Sequence, residues 1–321
     1  MAFWHKAKKK EGWLAVRAGA AGVTAAVVRR AAATKDPAAA DSRPAVLAAA
    51  HHPGARAEAA ALLARVGREL DAGGHRCSSV LVPGEYQLLA LEAPNVPAAE
   101  LKTAVGWRLK DMIDFPVPEA TIDVLDIPVA PNGPAHNHQV FAVAARNGII
   151  EALQNLYTEV KIDLAAIDIP ETAQRNISAL LEPEGRGLAM LAFDDHGGLL
   201  TVTFRGELYL ARRMDMTLAQ VEGPHEARQN LYDRIALELQ RSLDNFERQF
   251  QYVAVSKLVL APTGSAGLHD YLAANLYLPV DLLDLDAVFD LDKVPELRDA
   301  ARQARFFTVL GGGLRDEDAV A

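Results

Sequence analysis

The sequence predicts an α/β chain folded as two lobes, and three observations carry that prediction. The chain has 321 residues, past the ~250–300 at which single hydrophobic cores stop growing. Half of its residues are hydrophobic and 23% are charged, so a packed core is feasible and global disorder is not expected. It also repeats itself. "LAVRAGAAGVTAAVVRR" (Leu14 to Arg30) and "LAFDDHGGLLTVTFRGELYLARR" (Leu191 to Arg213) each run strand, glycine turn, strand, and each reaches an arginine pair. The run "EPEGRG" (Glu182 to Gly187) between them reads as a linker. The predicted division is a basic tail at 1–11, a first lobe at 12–186, and a second lobe with C-terminal helices at 187–321.

The elements follow in order. Gly12 to Arg30 supplies two strands around a turn from Arg17 to Gly22. A loop from Thr34 to Pro44 leads to a short strand, Val46 to Ala50, which His51-His52-Pro53-Gly54 breaks. Leu62, Leu63, Val66 and Leu70 recur at helical spacing, so Ala55 to Ala72 reads as a helix that Gly73-Gly74 ends. Strands follow at Ser79 to Val82 and Tyr86 to Leu91. A second unit starts at Pro94, with Pro97 opening a helix to Ile113. Ala120 to Val129 alternates apolar with acidic residues, the pattern of a half-exposed strand. A turn to His138, a strand (Val140 to Ala145), a helix (Asn147 to Val160), a strand (Asp163 to Asp168) and a helix (Pro170 to Leu181) complete this half. Beyond the second repeat, Pro224 to Phe250 forms one long helix. A strand (Lys257 to Ala261), a helix (Ala266 to Asn275) and an extended run (Pro279 to Leu285) come next. Two terminal helices end the chain, Val294 to Ala304 and Phe306 to Leu314, the second weakened by Gly311 to Gly313.

Charge and cysteine content exclude several classes. A net charge of −9 and a pI near 5.5 argue against a nucleic-acid partner, which calls for a basic face. The single cysteine, Cys77, rules out an internal disulfide framework and fits a reducing compartment. No stretch supplies the ~20 uninterrupted apolar residues of a membrane span, because Arg17, Gly19 and Gly22 interrupt the nearest candidate. Phe3, Trp4 and Lys6 to Lys10 suit either a weak interfacial anchor or a solvated terminus, and the terminus is preferred. His136 and His138 have metal-ligand spacing, but nothing nearby completes four ligands. Neither a Walker lysine loop nor a Gly-x-Ser-x-Gly elbow occurs.

The middle of the chain is more specific. "LVPGEYQLLALEAPNVPAAELKTAVGWRLKDMIDFPVPEATIDVLDIP" (Leu81 to Pro128), "LELQRSLDNFERQF" (Leu237 to Phe250) and the closing "VLGGGLR" (Val309 to Arg315) resemble the PilM and MshI family of type IV pilus biogenesis proteins. The MshI proteins of mannose-sensitive haemagglutinin (MSHA) pili are the more similar branch. The resemblance implies an actin-like (ribonuclease H-like) two-lobed fold, with a small α/β domain inserted in the first lobe at about 95–168. It implies a protein peripheral to the cytoplasmic face of the bacterial inner membrane, not spanning it. It also implies a PilN-like bitopic partner whose short N-terminal tail is bound, alongside other pilus assembly proteins. The tail is expected in a groove between the first lobe and its insert, against the strand Tyr86 to Leu91 and the segment Asp114 to Ile127. Homo-oligomerisation is left open.

The same resemblance places a nucleotide between the two glycine turns, where its chemistry needs three parts. An aspartate in the first turn holds hydrated Mg²⁺, glycines let backbone N–H groups reach phosphate, and a later glycine pair admits adenine. In this chain Arg17 stands at the aspartate position, followed by Gly19 and by Gly22 where hydroxyl residues are usual. The second turn keeps Asp195, Gly197 and Gly198, with Asp194 as an alternative register. Asp and Gly are also the ordinary residues of a hairpin turn, and that reading is preferred. At the adenosine motif, Pro262 and Gly264 replace a glycine run. Gly19, Gly22, Asp195, Gly197, Gly198 and Gly264 are thus the candidate nucleotide residues of a degenerate site. The chain is expected not to be an enzyme, and no cofactor is expected. ATP with Mg²⁺, in an active ATPase of the same machinery, is the alternative.

Overall fold

A computed structural model describes residues 10–31, 43–129, 138–264 and 267–315. The basic tail up to residue 9, the loop after Ala31, most of the turn before His138 and His136 itself lie outside the described residues. β1 (Trp13–Gly19) and β2 (Gly22–Arg29) form the first hairpin, and β3 (Ala45–Pro53) lies antiparallel on β2. The helix α1 (Ala59–Glu69) buries Leu63 and Val66 against this meander, and β4 (Cys77–Val80) returns parallel to β1. The chain then builds a separate layer: β5 (Tyr86–Glu92), α2 (Ala98–Arg108), β6 (Ala120–Ile127) and β7 (Gln139–Arg146). It rejoins the first sheet through α3 (Asn147–Glu159) and β8 (Leu164–Asp168), the latter parallel to β4. After α4 (Pro170–Ala179), the second half repeats the plan. β9 (Gly187–Asp194), β10 (Gly197–Phe204) and β11 (Glu207–Met214) form its meander. α5 (Leu218–Val221), the long α6 (His225–Gln249), β12 (Val255–Leu260), α7 (Gly267–Asn275), β13 (Val280–Leu282), α8 (Leu285–Val288) and α9 (Ala300–Gly312) follow.

The described residues build two five-stranded sheets of one topology, β3-β2-β1-β4-β8 and β11-β10-β9-β12-β13, and a three-stranded sheet ordered β5-β7-β6. Repetition in the sequence is therefore repetition in the fold. The sheet to which each strand belongs moves the insert, however. The sequence reading put it at about 95–168, whereas the three-stranded sheet begins at Tyr86 and ends at Arg146, and Leu164–Asp168 belongs to the first large sheet. Tyr157 on α3 is likewise buried in the first lobe's core.

Two helices exchange lobes. α4 leaves the first sheet and packs on β9, β10 and β11, while α9, arriving from the second half, packs on β1, β2 and β4. The division at 186/187 follows the chain and not the packing. Buried Gln174 fixes α4 to its new sheet, donating to the carbonyls of Met190 (2.9 Å) and Leu199 (3.1 Å) and to Thr201 Oγ1 (2.9 Å). The last carbonyls of α9, orphaned as at any helix end, accept from Ser78 Oγ at Gly312 (3.2 Å) and from Asn176 Nδ2 at Gly311 (3.0 Å).

Two local expectations change. Phe306 to Leu314 is not a separate helix, because Ala300–Gly312 is continuous and only a short 3₁₀ turn, Pro295–Arg298, precedes it. Its glycines are contact residues. A Cβ on Gly311 would stand 2.1 Å from the Ala173 carbonyl oxygen, and one on Gly313 would stand 2.7 Å from Val28 Cγ2. In β3, the two histidines do not break the strand, because each ring finds a partner. His51 Nδ1 meets Thr24 Oγ1 at 2.9 Å, and His52 Nε2 meets Glu69 Oε2 at 2.7 Å.

Gly311→Ala is expected to cost about 3 kcal/mol or more in a urea melt followed by far-UV circular dichroism, the upper end of overpacking penalties. Gly148→Ala, where a Cβ meets nothing within 4 Å, should be neutral or slightly stabilising and serves as the control.

Candidate functional site

The two glycine turns lie at equivalent places in the two sheets, with Gly19 paired to Gly22 and Asp194 paired to Gly197. The glycines at the start of β2 and β10 have one steric origin. Gly22 has φ +127° and Gly197 has φ +133°. A Cβ on Gly22 would sit 2.1 Å from the His52 carbonyl oxygen, and one on Gly197 would sit 2.4 Å from that of Met214. The third strand of each meander passes so close that only glycine fits. Gly198 is tight as well, its Cβ position 2.8 Å from Phe193 Cε1, whereas Gly19 would meet only Val82 Cγ1 at 3.9 Å. Three of these four glycines are thus required by sheet packing, before any ligand is considered.

Strand pairing also sets which aspartate meets Arg17 of the first lobe. β9 extends through Asp194, leaving Asp195-His196 as the two-residue turn. Asp194 Oδ1 accepts from the His196 N–H (2.8 Å), and Asp195 is exposed, near enough to His51 of β3 for its charge to act on that imidazole. Of the two, the half-buried aspartate is Asp194, the alternative register. Its other oxygen is occupied too. Arg17 lies within β1 opposite Thr24, not in the turn, and its Nη2 donates to Asp194 Oδ2 at 2.6 Å. The side chains are 16% and 22% exposed, so this ion pair joining the two lobes is poorly screened. The cation at the predicted metal-ligand position is partnered by the carboxylate of the opposite turn.

One small cavity adjoins Asp194. The cavity lined by Pro170, Gln174, Phe193, Asp194, Arg213 and Phe307 has a volume of about 20 Å³, room for about one water, against the roughly 300 Å³ or more of small-molecule pockets. At the adenosine motif, the Gly264 N–H donates to Glu222 Oε1 at 2.7 Å, and a Cβ there would fall 2.4 Å from the same oxygen. The backbone donor expected to face a nucleotide is held by a side chain of this protein.

A second polar cluster bolts the junction of the layers. Tyr86, at the start of the insert, donates its hydroxyl to Glu171 Oε2 (2.5 Å). Arg213 of β11 donates to Glu171 Oε1 (3.0 Å) and to the Tyr86 oxygen (2.8 Å). Glu171 is 1% exposed, a burial that a carboxylate tolerates only when paired. Burial and the neighbouring Glu171 carboxylate push the Tyr86 phenol well above its ordinary pKa. One turn earlier, Asp168 accepts from Arg315 Nη1 (2.8 Å) and from Thr172 Oγ1. Cys77 is fully buried, and burial raises its thiol pKa, which suits a packing role.

A larger groove lies between the first lobe and its insert. It holds about 340 Å³ and is lined by Leu81, by Thr121, Ile122 and Asp123 of β6, by Val143 and Ala145 of β7, by Ile150 and Gln154 of α3, and by residues 164–167 and Ile169. β8 is the outer strand of the first sheet and β6 the outer strand of the insert, so two unpaired backbone edges border it. Part of the predicted peptide-contact segment is present here, at Thr121 to Asp123. The strand Tyr86 to Leu91 is not, because β5 lies at the other edge of its sheet with Tyr86 tied into the Glu171 cluster. β8 was missed as a contributor. Its pairing is long-range, and no local pattern marks it as an edge. His138, the described member of the histidine pair, is hydrogen-bonded to Asp126, and no metal-binding cluster of three or more His, Cys, Asp or Glu occurs among the described residues. Nor is any described helix long and apolar enough to cross a membrane.

No protein-family model and no curated relative matches the chain. Solved structures do. A PilM–PilN type IV pilus biogenesis complex superposes with a TM-score of 0.71 at 19% identity, covering 95% of this chain and 99% of that one. A protein of unknown function with an actin-like ATPase fold, from Bacteroides thetaiotaomicron, superposes with a TM-score of 0.50 at 14% identity over 93% and 99%. The fold is actin-like. Its twin meanders place Arg17 and Asp194 on facing lobes, where the two side chains pair.

Arg17→Ala and Asp194→Ala are each expected to lower unfolding free energy by about 1–3 kcal/mol, the range for a charge-assisted hydrogen bond left half-made. In a double-mutant cycle read by guanidinium denaturation, the second substitution should add little to the first. Fully additive losses would show that the two side chains act independently.

Proposed function

We propose that this chain is a non-enzymatic scaffold of type IV pilus biogenesis, of the MSHA kind, that binds the N-terminal cytoplasmic tail of a PilN-like inner-membrane protein. The observation that carries the reading is the groove between β8 and β6. Two free strand edges across an apolar trough suit an extended peptide, whose backbone pairs with an edge while alternate side chains enter the walls. The similarity in fold to a PilM–PilN complex supports this choice of partner, as does the sequence resemblance to the PilM and MshI family. In this reading the protein sits at the cytoplasmic face of the inner membrane, held there by its partner.

The nucleotide plays no part in the proposed role. Support comes from the Arg17–Asp194 pair and the Glu222 side chain on Gly264. An arginine repels Mg²⁺ and supplies none of the oxygen ligands the ion requires. The rival reading, an active ATPase, needs Asp194 released from Arg17.

Two measurements test the proposal on the full chain. A fluorescently labelled tail peptide of the PilN-like partner should bind with a Kd in the micromolar range by anisotropy, and no binding at high micromolar peptide would overturn the scaffold reading. Titration calorimetry with Mg²⁺ and a slowly hydrolysed ATP analogue should give no binding heat. A saturable heat signal lost in Asp194→Ala would favour the ATPase instead.

A further inference from the structure

β6 has a groove on each of its faces. Along a strand, successive side chains point to opposite sides. Thr121 and Asp123 face the groove against the first lobe, while Ala120, Ile122 and Val124 face α2. On the α2 side lies an open apolar groove of about 1000 Å³, with Ile113, Phe115 and Val117 in its walls and Trp107 at its rim. The two grooves are continuous around the free edge of β6, because Ile122 and Lys102 line both.

Several features of this second groove suit an occupant. Trp107 is 75% exposed, although it stands on α2, a helix packed on the insert's sheet. Gly106 faces Ile122 across the floor, its Cβ position 3.4 Å from Ile122 Cδ1, so the absent side chain keeps the groove deep. The rim is cationic. Among the described residues Lys110 has no ion-pair partner, and Lys102 meets only Asp123, at 3.3 Å with both side chains largely exposed. Asp114, the one acid of the lining, already engages Gln87 and Arg146. On a chain of net charge −9, this rim favours an acidic ligand over a second copy of the protein.

We infer that the α2 groove is a second subsite for the same extended partner tail, an inference that rests on the tail-binding reading above. The tail adds as a strand to the free edge of β6. Alternate side chains then enter the two grooves, smaller apolar ones between β6 and β8 and a large apolar or aromatic one under Trp107. A carboxylate on the tail pairs with Lys110. The α2 groove thus selects sequence, and the β8-side groove holds backbone and small side chains.

The test uses the full chain and the labelled tail peptide of the PilN-like partner, with three variants at exposed positions. Gln154→Trp fills the β8-side groove from the surface of α3 and should abolish binding. Trp107→Ala should raise Kd about tenfold, the effect of removing an aromatic anchor, and Lys110→Glu should raise it about threefold at low salt. In a Trp4→Phe background, the intrinsic fluorescence of Trp107 should shift to the blue on peptide binding, because Trp13, the other remaining tryptophan, is already buried. Loss of binding in Gln154→Trp together with a Trp107→Ala Kd within twofold of wild type overturns the second subsite and leaves the tail-binding reading standing. Failure of the wild-type chain to bind the peptide overturns both.

Discussion

The structure depends on the crossing of α4 and α9. Each helix starts from one half of the chain and packs on the sheet of the other, and they meet where Gly311 lies against the Ala173 carbonyl. Backbone contact at that distance excludes any side chain, so the angle and separation of the two lobes are set by a missing Cβ. The polar groups follow from the same crossing. The end of α9 delivers Gly312 to Ser78 and brings Arg315 to Asp168, and the start of α4 delivers Glu171 to Arg213 and Tyr86.

These bolts also position the groove between β6 and β8. Asp168 closes β8, and Ile169, the next residue, is part of the groove wall. Glu171, two residues further on, holds the first strand of the insert through Tyr86. The wall contributed by the first lobe and the wall contributed by the insert are therefore anchored to one stretch of five residues, Asp168 to Thr172. A groove whose two sides share an anchor keeps its width, which lowers the ordering cost of binding an extended segment.

Much of this was legible in the sequence because it is local. The duplicated hairpin, the long helix α6 and the helix opened by Pro170 follow from periodicity and from glycine and proline placement. What was not legible depends on distant pairing. Whether Asp194 or Asp195 meets Arg17 is decided by how far β9 runs before it turns, and its partners set that length. Gly311 to Gly313 read as a weak point in a helix, since propensity is a property of one element and close approach is a property of two. The insert's edges were displaced because β8 resembles any short apolar strand until its pairing with β4 is seen. Arg17 was recognised as unsuited to a metal, but its carboxylate partner lies 177 residues away and no spacing rule reaches that far.

The Arg17–Asp194 pair has a consequence for timing. A clamp made of two side chains has fixed stoichiometry, one per molecule, and forms as the chain folds. It neither dissociates into solution nor turns over, so its occupancy does not track the supply of any metabolite. In the proposed scaffold role, lobes related in this way supply no internal clock, and a cycle of assembly and release would be paced by the molecules that dock on the protein.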